Sequence, residues 1–213
     1  MKVSVTAGTG VQIIRKHLGR SAQIIPGSFS KRIFDFALAL ILVVPGFIIC
    51  IVAMPIVAVE CRSSPLFFQT RVGRCGRLFR IMKLRTMHPQ TPHLGSHLVG
   101  SDSITRSGRL LRRLKIDELP QLINVLAGSM SFVGPRPCLP SQQELIAERR
   151  RRGVDGLLPG ITGPAQVAGL DMSDPPRLAR ADSAYLAPWS LKRDIAVLVK
   201  TAIGQGRGDA AGR

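Results

Sequence analysis

The sequence predicts an α-rich α+β fold, a small monotopic protein with a re-entrant N-terminal helix, interfacial helices and a short β-hairpin. Three observations support this: an uncharged apolar segment at 36–59, two short extended stretches within 65–87, and several helical patterns after residue 103. We predict four regions in chain order. These are a basic arm over 1–32, a re-entrant membrane helix over 33–60, a cytosolic domain over 61–203 and a disordered tail over 204–213.

The charge of the chain predicts an anionic partner. It carries 30 Lys and Arg against 13 Asp and Glu, a formal net charge of +17. Nucleic acid, a membrane surface and a phosphorylated substrate would all fit such a charge. Aromatic residues make up only 5% of the sequence, too few for a base-stacking platform, and the sequence carries no nucleic-acid-binding signature. We therefore expect no nucleic acid partner.

The apolar segment at 36–59 is long enough to enter a bilayer, since about 20 residues span one. Basic residues flank it on both sides, which favours placing both ends on the cytoplasmic side. Pro45 and Gly46 lie near its middle, where a proline can bend a helix sharply. These features favour a helix that dips into one leaflet, turns at Pro45 and returns. A single span and a buried helix of a soluble protein are the alternatives.

Residues 65–87 predict a β-hairpin, with Gly73 and Gly76 in its turn. Basic and apolar residues alternate along these stretches, which predicts several cations on one face of the hairpin. The basic residues concerned are Arg71, Arg80, Lys83 and Arg85.

Residues 88–107 predict a long loop, which we interpret as an active-site lid. His93 and His97 are four residues apart, but prolines and glycines surround them, so we interpret them as part of a solvated loop and not as a metal site. A helix is predicted from about Ile104 to Lys115, and a final helix from Leu191 to Ile203.

Two adjacent carboxylates, Asp117 and Glu118, precede Pro120 in a strongly basic stretch. Proline suits the first turn of a helix, so the sequence predicts a helix from Pro120 to about Leu126 with both acids at its positive end. Nearby cations should keep a carboxylate ionised, and an ionised carboxylate can attack phosphorus. An ordinary helix cap with surface ion pairs is the alternative. The upstream cations are Arg109, Arg112, Arg113 and Lys115.

Arg136 lies between Pro135 and Pro137, which predicts a rigidly presented guanidinium suited to bidentate phosphate contacts. A plain surface turn is the alternative.

The stretch 159–164 is rich in glycine and proline and predicts a loop whose backbone could approach a ligand.

Taken together, these segments resemble the bacterial sugar transferases, the monotopic polyprenyl-phosphate phosphoglycosyl transferases. The resemblance runs from about Lys31 to Ile203, and the order and spacing of its motifs make it specific. The motifs are KRIFD at 31–35, IMKLRTM at 81–87, DELPQL at 117–122, SFVGPRP at 131–137, PGITG at 159–163, and WSL at 189–191 followed by Asp194 and Ile195.

The resemblance implies a two-step, ping-pong transfer. Asp117 would attack the β-phosphorus of a UDP-sugar and release UMP, and the phosphosugar would then pass to a polyprenyl phosphate. Glu118 would be the companion acid. The resemblance also implies Mg²⁺ with Asp117 as its protein ligand, and phosphate contacts from Lys83, Arg136 and Arg113.

The resemblance further implies the cytoplasmic face of the bacterial inner membrane as the location. The reaction would be the first membrane step of assembling a glycan, such as an exopolysaccharide, a capsule or a glycoprotein oligosaccharide. Membrane lipid and downstream glycosyltransferases would be the partners. A non-catalytic basic membrane adaptor is the rival hypothesis. The sequence leaves open the sugar, the polyprenyl length and the oligomeric state.

Overall fold

A computed structural model describes residues 28–91 and 100–205 of the chain. Most of the predicted basic arm, residues 92–99 of the predicted lid with His93 and His97, and the tail from 206 lie outside the described residues. Within them the architecture is mostly helical, with two small two-stranded sheets. The helices are α1 (Ser28–Cys61), α2 (Arg106–Arg113), α3 (Leu122–Leu126), α4 (Gln143–Arg151), α5 (Pro164–Val167), α6 (Pro175–Ser183) and α7 (Leu191–Ala202). The strands are β1 (Leu66–Val72), β2 (Leu78–Leu84), β3 (Ser131–Val133) and β4 (Gly160–Thr162).

Helix α1 packs on the rest of the molecule along one stripe and exposes apolar side chains elsewhere. The stripe repeats every three or four residues, as one helix face does. At Gly46 the side chain of Leu122 packs closely against the helix backbone, because a Cβ there would lie 3.2 Å from Leu122 Cδ1. The buried residues of the stripe are Asp35, Ala39, Gly46, Cys50, Ala53, Val57 and Cys61.

The predicted turn at Pro45 is not a break in this helix. Helix α1 continues through Pro45 and Pro55, and it begins at Ser28, within the predicted basic arm. Packing explains the continuity, since Gly46 holds the residues after Pro45 against Leu119 and Leu122 of the same domain. Of the helices in the described ranges, α1 alone is long and apolar enough to cross a membrane, judged by length and composition.

A buried carboxylate, Asp194 of α7, joins α7 to the start of α1. Lys31 Nζ donates to Asp194 Oδ2 at 2.8 Å, and Trp189 Nε1 donates to the same oxygen at 2.9 Å. The hydroxyl of Tyr185 donates to the other oxygen. A buried charge is tolerated only when it is paired and hydrogen-bonded, and Asp194 meets both conditions.

Further polar contacts fix both ends of α1 to the same domain. Near its start, Asp35 Oδ1 accepts a hydrogen bond from the Phe132 backbone at 3.1 Å. Near its end, Glu60 caps α2, accepting from the backbone N–H groups of Arg106 at 2.7 Å and Ser107 at 3.0 Å. The first turn of a helix leaves such N–H groups without intrahelical partners, so this contact satisfies them.

The predicted hairpin is confirmed as the antiparallel pair β1 and β2. Arg71 and Lys83 lie on the face that contains the buried Ile81, as the register of the two strands requires. Arg80 lies on the opposite face, where its guanidinium carbon is 5.0 Å from the centre of the Phe68 ring. The expectation of one shared cationic face is therefore wrong for Arg80, because side chains alternate along a strand.

The strands β3 and β4 form a parallel pair that the sequence did not predict. Ser131 pairs with Gly160 and Val133 with Thr162, so the predicted loop at 159–164 contains a strand. A side chain at Gly160 would collide with the backbone of Gly134, so only glycine allows this approach. The pairing places the segment 131–137 beside 159–163 over the main core, which includes Ile81, Val125 and Met130.

We expect Asp194→Ala to destabilise the protein by about 3–5 kcal/mol, because Lys31 and Tyr185 would lose a buried partner. In a detergent micelle this should lower Tm by roughly 10 °C. Asp155→Ala is the matched control, since Asp155 lies 4.0 Å from an exposed Arg150 and should contribute at most about 1 kcal/mol. Equal shifts for the two variants would contradict the structural role of Asp194.

Candidate functional site

The two acids lie in a 3-10 turn, Ile116–Gln121, between α2 and α3. The sequence predicts a helix beginning at Pro120, but the helical turn begins earlier, at Ile116, and Pro120 lies inside it. The reason is Lys115, whose left-handed backbone (φ 59°) turns the chain after α2 and starts a new turn. A short 3-10 turn tolerates the missing N–H of proline better than a long α-helix does.

Asp117 and Glu118 are both buried, with 6% and 7% of their surfaces exposed. Successive residues of a 3-10 helix point about 120° apart, so adjacent acids in it meet different neighbours. Glu118 Oε1 accepts hydrogen bonds from Lys83 Nζ at 3.1 Å and from Arg136 Nη1 at 3.2 Å. The two acids thus share one cationic site, but Glu118 makes direct ion pairs with two of its cations.

The surroundings change the acidity of the two carboxyls in opposite directions. Burial raises the pKa of Asp117, and the charge of Glu118 raises it further, against the influence of Lys83, Arg112 and Arg136. Burial also opposes ionisation of Glu118, but Lys83 and Arg136 lower the pKa of Glu118 to about 2. The expectation that nearby cations keep a carboxylate ionised therefore describes Glu118, whereas the pKa of Asp117 lies above its usual value. Such divergence between neighbouring acids is typical of functional sites.

Three cations around the acids come from three separate parts of the chain: Lys83 from β2, Arg112 from the last turn of α2 and Arg136 from the segment after β3. Arg112 is oriented by a hydrogen bond from its Nε to Thr86 Oγ1 at 2.8 Å. Each of the three acts on the charge of Asp117. A pocket of convergent cations beside a carboxylate can hold phosphate groups within reach of a nucleophile.

Arg136 is held by a buried contact that sequence reasoning missed. Arg149 donates from Nη1 to the backbone oxygen of Arg136 at 2.8 Å. Its Nε and Nη2 both donate to Asp182 Oδ2, at 2.9 and 2.7 Å. Arg149 lies within the run of arginines at 149–152, and no local pattern distinguishes it from its exposed neighbours.

Arg113, for which the sequence predicts a phosphate contact, keeps that role as a prediction. It lies on the exposed side of α2, whereas its neighbour Arg112 is the cation that acts on Asp117. Successive residues of an α-helix point about 100° apart, so Arg112 and Arg113 meet different parts of the site. Sequence could not choose between them, because Leu110 and Leu111 are equally apolar, and only the structure shows that Leu111 is the buried one.

A cavity of about 540 Å³ adjoins the acids on the side of Glu118. It lies between α1, the 116–121 turn, the β3–β4 pair and α7. Arg113 lies in its wall, together with Lys115 and Glu118. The rest of the wall is largely apolar, so the charged site is continuous with an apolar one.

The two acids could hold a magnesium ion only if the substrate and water supplied most of its ligands. Within 28–91 and 100–205, no three His, Cys, Asp or Glu side chains lie close enough together to hold a metal. Mg²⁺ is commonly bound by one or two carboxylates, with substrate phosphates and water completing the shell. Asp117 can supply such a carboxylate, since Glu118 is engaged by Lys83 and Arg136.

Comparison with known proteins identifies relatives over nearly all of the chain. Residues 27–206 match the family described as bacterial sugar transferase. The UDP-glucose:undecaprenyl-phosphate glucose-1-phosphate transferase of Caulobacter vibrioides is 36% identical over 206 residues, covering 92% of this chain and 77% of that protein. The uncharacterized sugar transferase EpsL of Bacillus subtilis is 37% identical over 171 residues, covering 80% and 84%.

A third relative, the undecaprenyl-phosphate galactose phosphotransferase of Salmonella typhimurium, is 35% identical over 200 residues, covering 82% of this chain and 40% of that protein. The names of the Caulobacter and Salmonella relatives agree on the type of reaction and differ in the sugar. The chain is therefore a transferase and belongs to the bacterial sugar transferase family.

Proposed function

We propose that this protein transfers a sugar 1-phosphate from a UDP-sugar to a polyprenyl phosphate, releasing UMP and starting a glycan on a lipid carrier. The observation that supports this best is the buried Asp117–Glu118 pair surrounded by Lys83, Arg112 and Arg136. The printed names of the relatives support the same reaction type. Burying two adjacent acids beside three cations is unfavourable in free energy, and a non-catalytic adaptor would gain nothing from that arrangement.

In the first step an oxygen of Asp117 attacks the β-phosphorus of the UDP-sugar. The bond from that phosphorus to the oxygen bridging the two phosphates breaks, and the electron pair leaves with that oxygen on UMP. An aspartyl-phosphosugar remains on the protein. The desolvation that raises the pKa of Asp117 also leaves its carboxylate poorly solvated, which favours attack once it is ionised.

In the second step a phosphate oxygen of the polyprenyl phosphate attacks the same phosphorus. The bond between that phosphorus and the Asp117 oxygen breaks, which restores the carboxylate and gives a polyprenyl diphosphate sugar. Splitting one displacement into two lets a single site serve a water-soluble donor and a lipid acceptor in turn.

Lys83, Arg112 and Arg136 would hold the phosphates in both steps. Glu118 would position Lys83 and Arg136, with which it pairs at 3.1 and 3.2 Å. Mg²⁺, which Asp117 would help to hold, would supply positive charge to neutralise the charge that develops on the phosphate of the departing UMP.

We further propose that α1 enters the membrane from the cytoplasmic face of the inner membrane and does not cross it. Lys31 at its start bonds to Asp194, and Glu60 at its end caps α2, so both ends are attached to one domain. A crossing helix would place those two contacts on opposite sides of the bilayer. Exposed apolar side chains on the other helices would extend the membrane-facing surface, among them Leu110, Ile123, Leu191, Ile195 and Val199.

Replacing Asp117 by Asn should reduce UMP release from a UDP-sugar by at least about a thousandfold, the scale of losing a nucleophile. The measurement is UMP formation with purified protein, Mg²⁺, polyprenyl phosphate and a panel of UDP-sugars. With donor alone, mass spectrometry of the wild-type protein should locate the phosphosugar on Asp117. Asp155→Asn serves as the matched control, and turnover retained in Asp117→Asn would exclude this nucleophile.

Arg136→Ala should lower kcat/KM for the UDP-sugar by roughly 10- to 100-fold, because a charge-assisted phosphate contact is lost. Arg80→Ala is the control, since it removes the same charge from the opposite face of the neighbouring hairpin. Steady-state kinetics with varied donor make the comparison. If both variants lose the same activity, Arg136 acts only through net charge.

Membrane placement can be tested with cysteines at both ends of α1. We expect Ser30→Cys and Arg62→Cys, each made in a Cys75→Ser background, to react with an impermeant maleimide from the cytoplasmic side only. Both positions are exposed, and Cys75 is the exposed native cysteine in the described ranges. Labelling of the two positions from opposite sides of the membrane would show a spanning helix.

A further inference from the structure

The cavity beside Glu118 has apolar walls contributed by distant parts of the chain. Leu42 comes from α1, Leu119 from the 116–121 turn, Phe132 from β3 and Leu198 from α7. The hydroxyls in the wall are already bonded to each other, since the Oγ1 atoms of Thr162 and Thr201 lie 2.7 Å apart. These two hydroxyls therefore already have hydrogen-bond partners, which makes the wall suitable for a hydrocarbon.

The charged groups in the wall of the cavity all belong to one short segment, 113–118, at the junction of α2 and the 116–121 turn. Glu118, Lys115 and Arg113 come from this region, and Asp117 is the next residue in the chain. Lys115 and Arg113 bring positive charge to the part of the cavity nearest the acids. The combination of an apolar wall and an adjacent cationic end is complementary to a molecule with a hydrocarbon chain and a phosphate head.

The position of the cavity also suits a lipid. Leu42 is 37% exposed, and its neighbours on α1, Leu40 and Ile41, are 58% and 70% exposed. The cavity thus borders the apolar surface of α1 that we place in the membrane. A UDP-sugar is polar over most of its length, whereas a hydrocarbon chain gains free energy for each carbon buried against an apolar wall.

From these observations we infer that the cavity between α1 and α7 binds the phosphate-proximal isoprene units of the acceptor, with the phosphate near Lys115 and Arg113. This inference rests on the proposed function and adds to it a place for the lipid. The acceptor would lie on the Glu118 side of the acid pair. It would contact residues 198–204, which comprise the last residues of α7 and the two residues after it.

The inference predicts that a substitution in the cavity weakens binding of the lipid acceptor and leaves binding of the UDP-sugar unchanged. Ala202 lines the cavity and Ala196 does not, although both are exposed alanines of α7. We expect Ala202→Trp to raise the ratio of KM for undecaprenyl phosphate to KM for the UDP-sugar by about tenfold, the effect of displacing roughly two buried CH₂ groups. Ala196→Trp should keep the wild-type ratio.

An unchanged ratio in Ala202→Trp, or an equal change in Ala196→Trp, would overturn the inference. Either result is distinguishable from failure of the proposed function, in which wild-type protein would release no UMP from any UDP-sugar.

A labelling experiment on the wild-type protein tests the same site without relying on a variant that must fold. A prenyl phosphate with a diazirine on its second isoprene unit should label the peptides that contain Leu42 and Leu198–Gly204. An excess of undecaprenyl phosphate should suppress the labelling, and an excess of phosphatidylglycerol should not. Labelling elsewhere, or equal suppression by phosphatidylglycerol, would show that the cavity is not an acceptor site.

Discussion

The carboxylate of Glu118 is the point at which three distant segments of the chain meet. It is buried, and a buried charge is strongly unfavourable unless opposite charges and hydrogen bonds surround it. Lys83 from the hairpin and Arg136 from the segment after β3 meet this need. Satisfying this one group therefore brings both cations beside Asp117, the adjacent residue, and creates the cationic site that the proposed chemistry requires.

The two neighbouring carboxyl groups have different pKa values because their contacts differ. Asp117 and Glu118 are neighbours, yet burial and the charge of Glu118 raise the pKa of Asp117, while Lys83 and Arg136 lower the pKa of Glu118. This difference supports separate roles, with Glu118 as the permanent anion that arranges the cations and Asp117 as the group that reacts. Two acids in identical surroundings would have similar pKa values and could not take separate roles in this way.

In the proposed membrane placement, helix α1 fixes the position of the site relative to the bilayer. The approach of Gly46 to Leu119 and Leu122 places the apolar helix directly against the residues that follow the two acids. Its ends are fastened by Asp194 and by the first turn of α2. The distance between the acids and the apolar surface of α1 is thereby set by packing within one domain, and the apolar cavity lies between them.

The sequence alone determined the features that depend on neighbours in the chain: the apolar helix, the β-hairpin, the carboxylate pair, and the family through the order of its motifs. Local pattern could not decide which of Arg112 and Arg113 faces the acids, because both positions are compatible with a short basic helix. It also could not reveal the parallel pairing of β3 with β4 or the support of Arg136 by Arg149, since three-residue strands and single buried arginines carry no periodic signal. Those features, and the continuity of α1 through Pro45, were decided by tertiary packing, because burial and ion pairing depend on residues far apart in sequence.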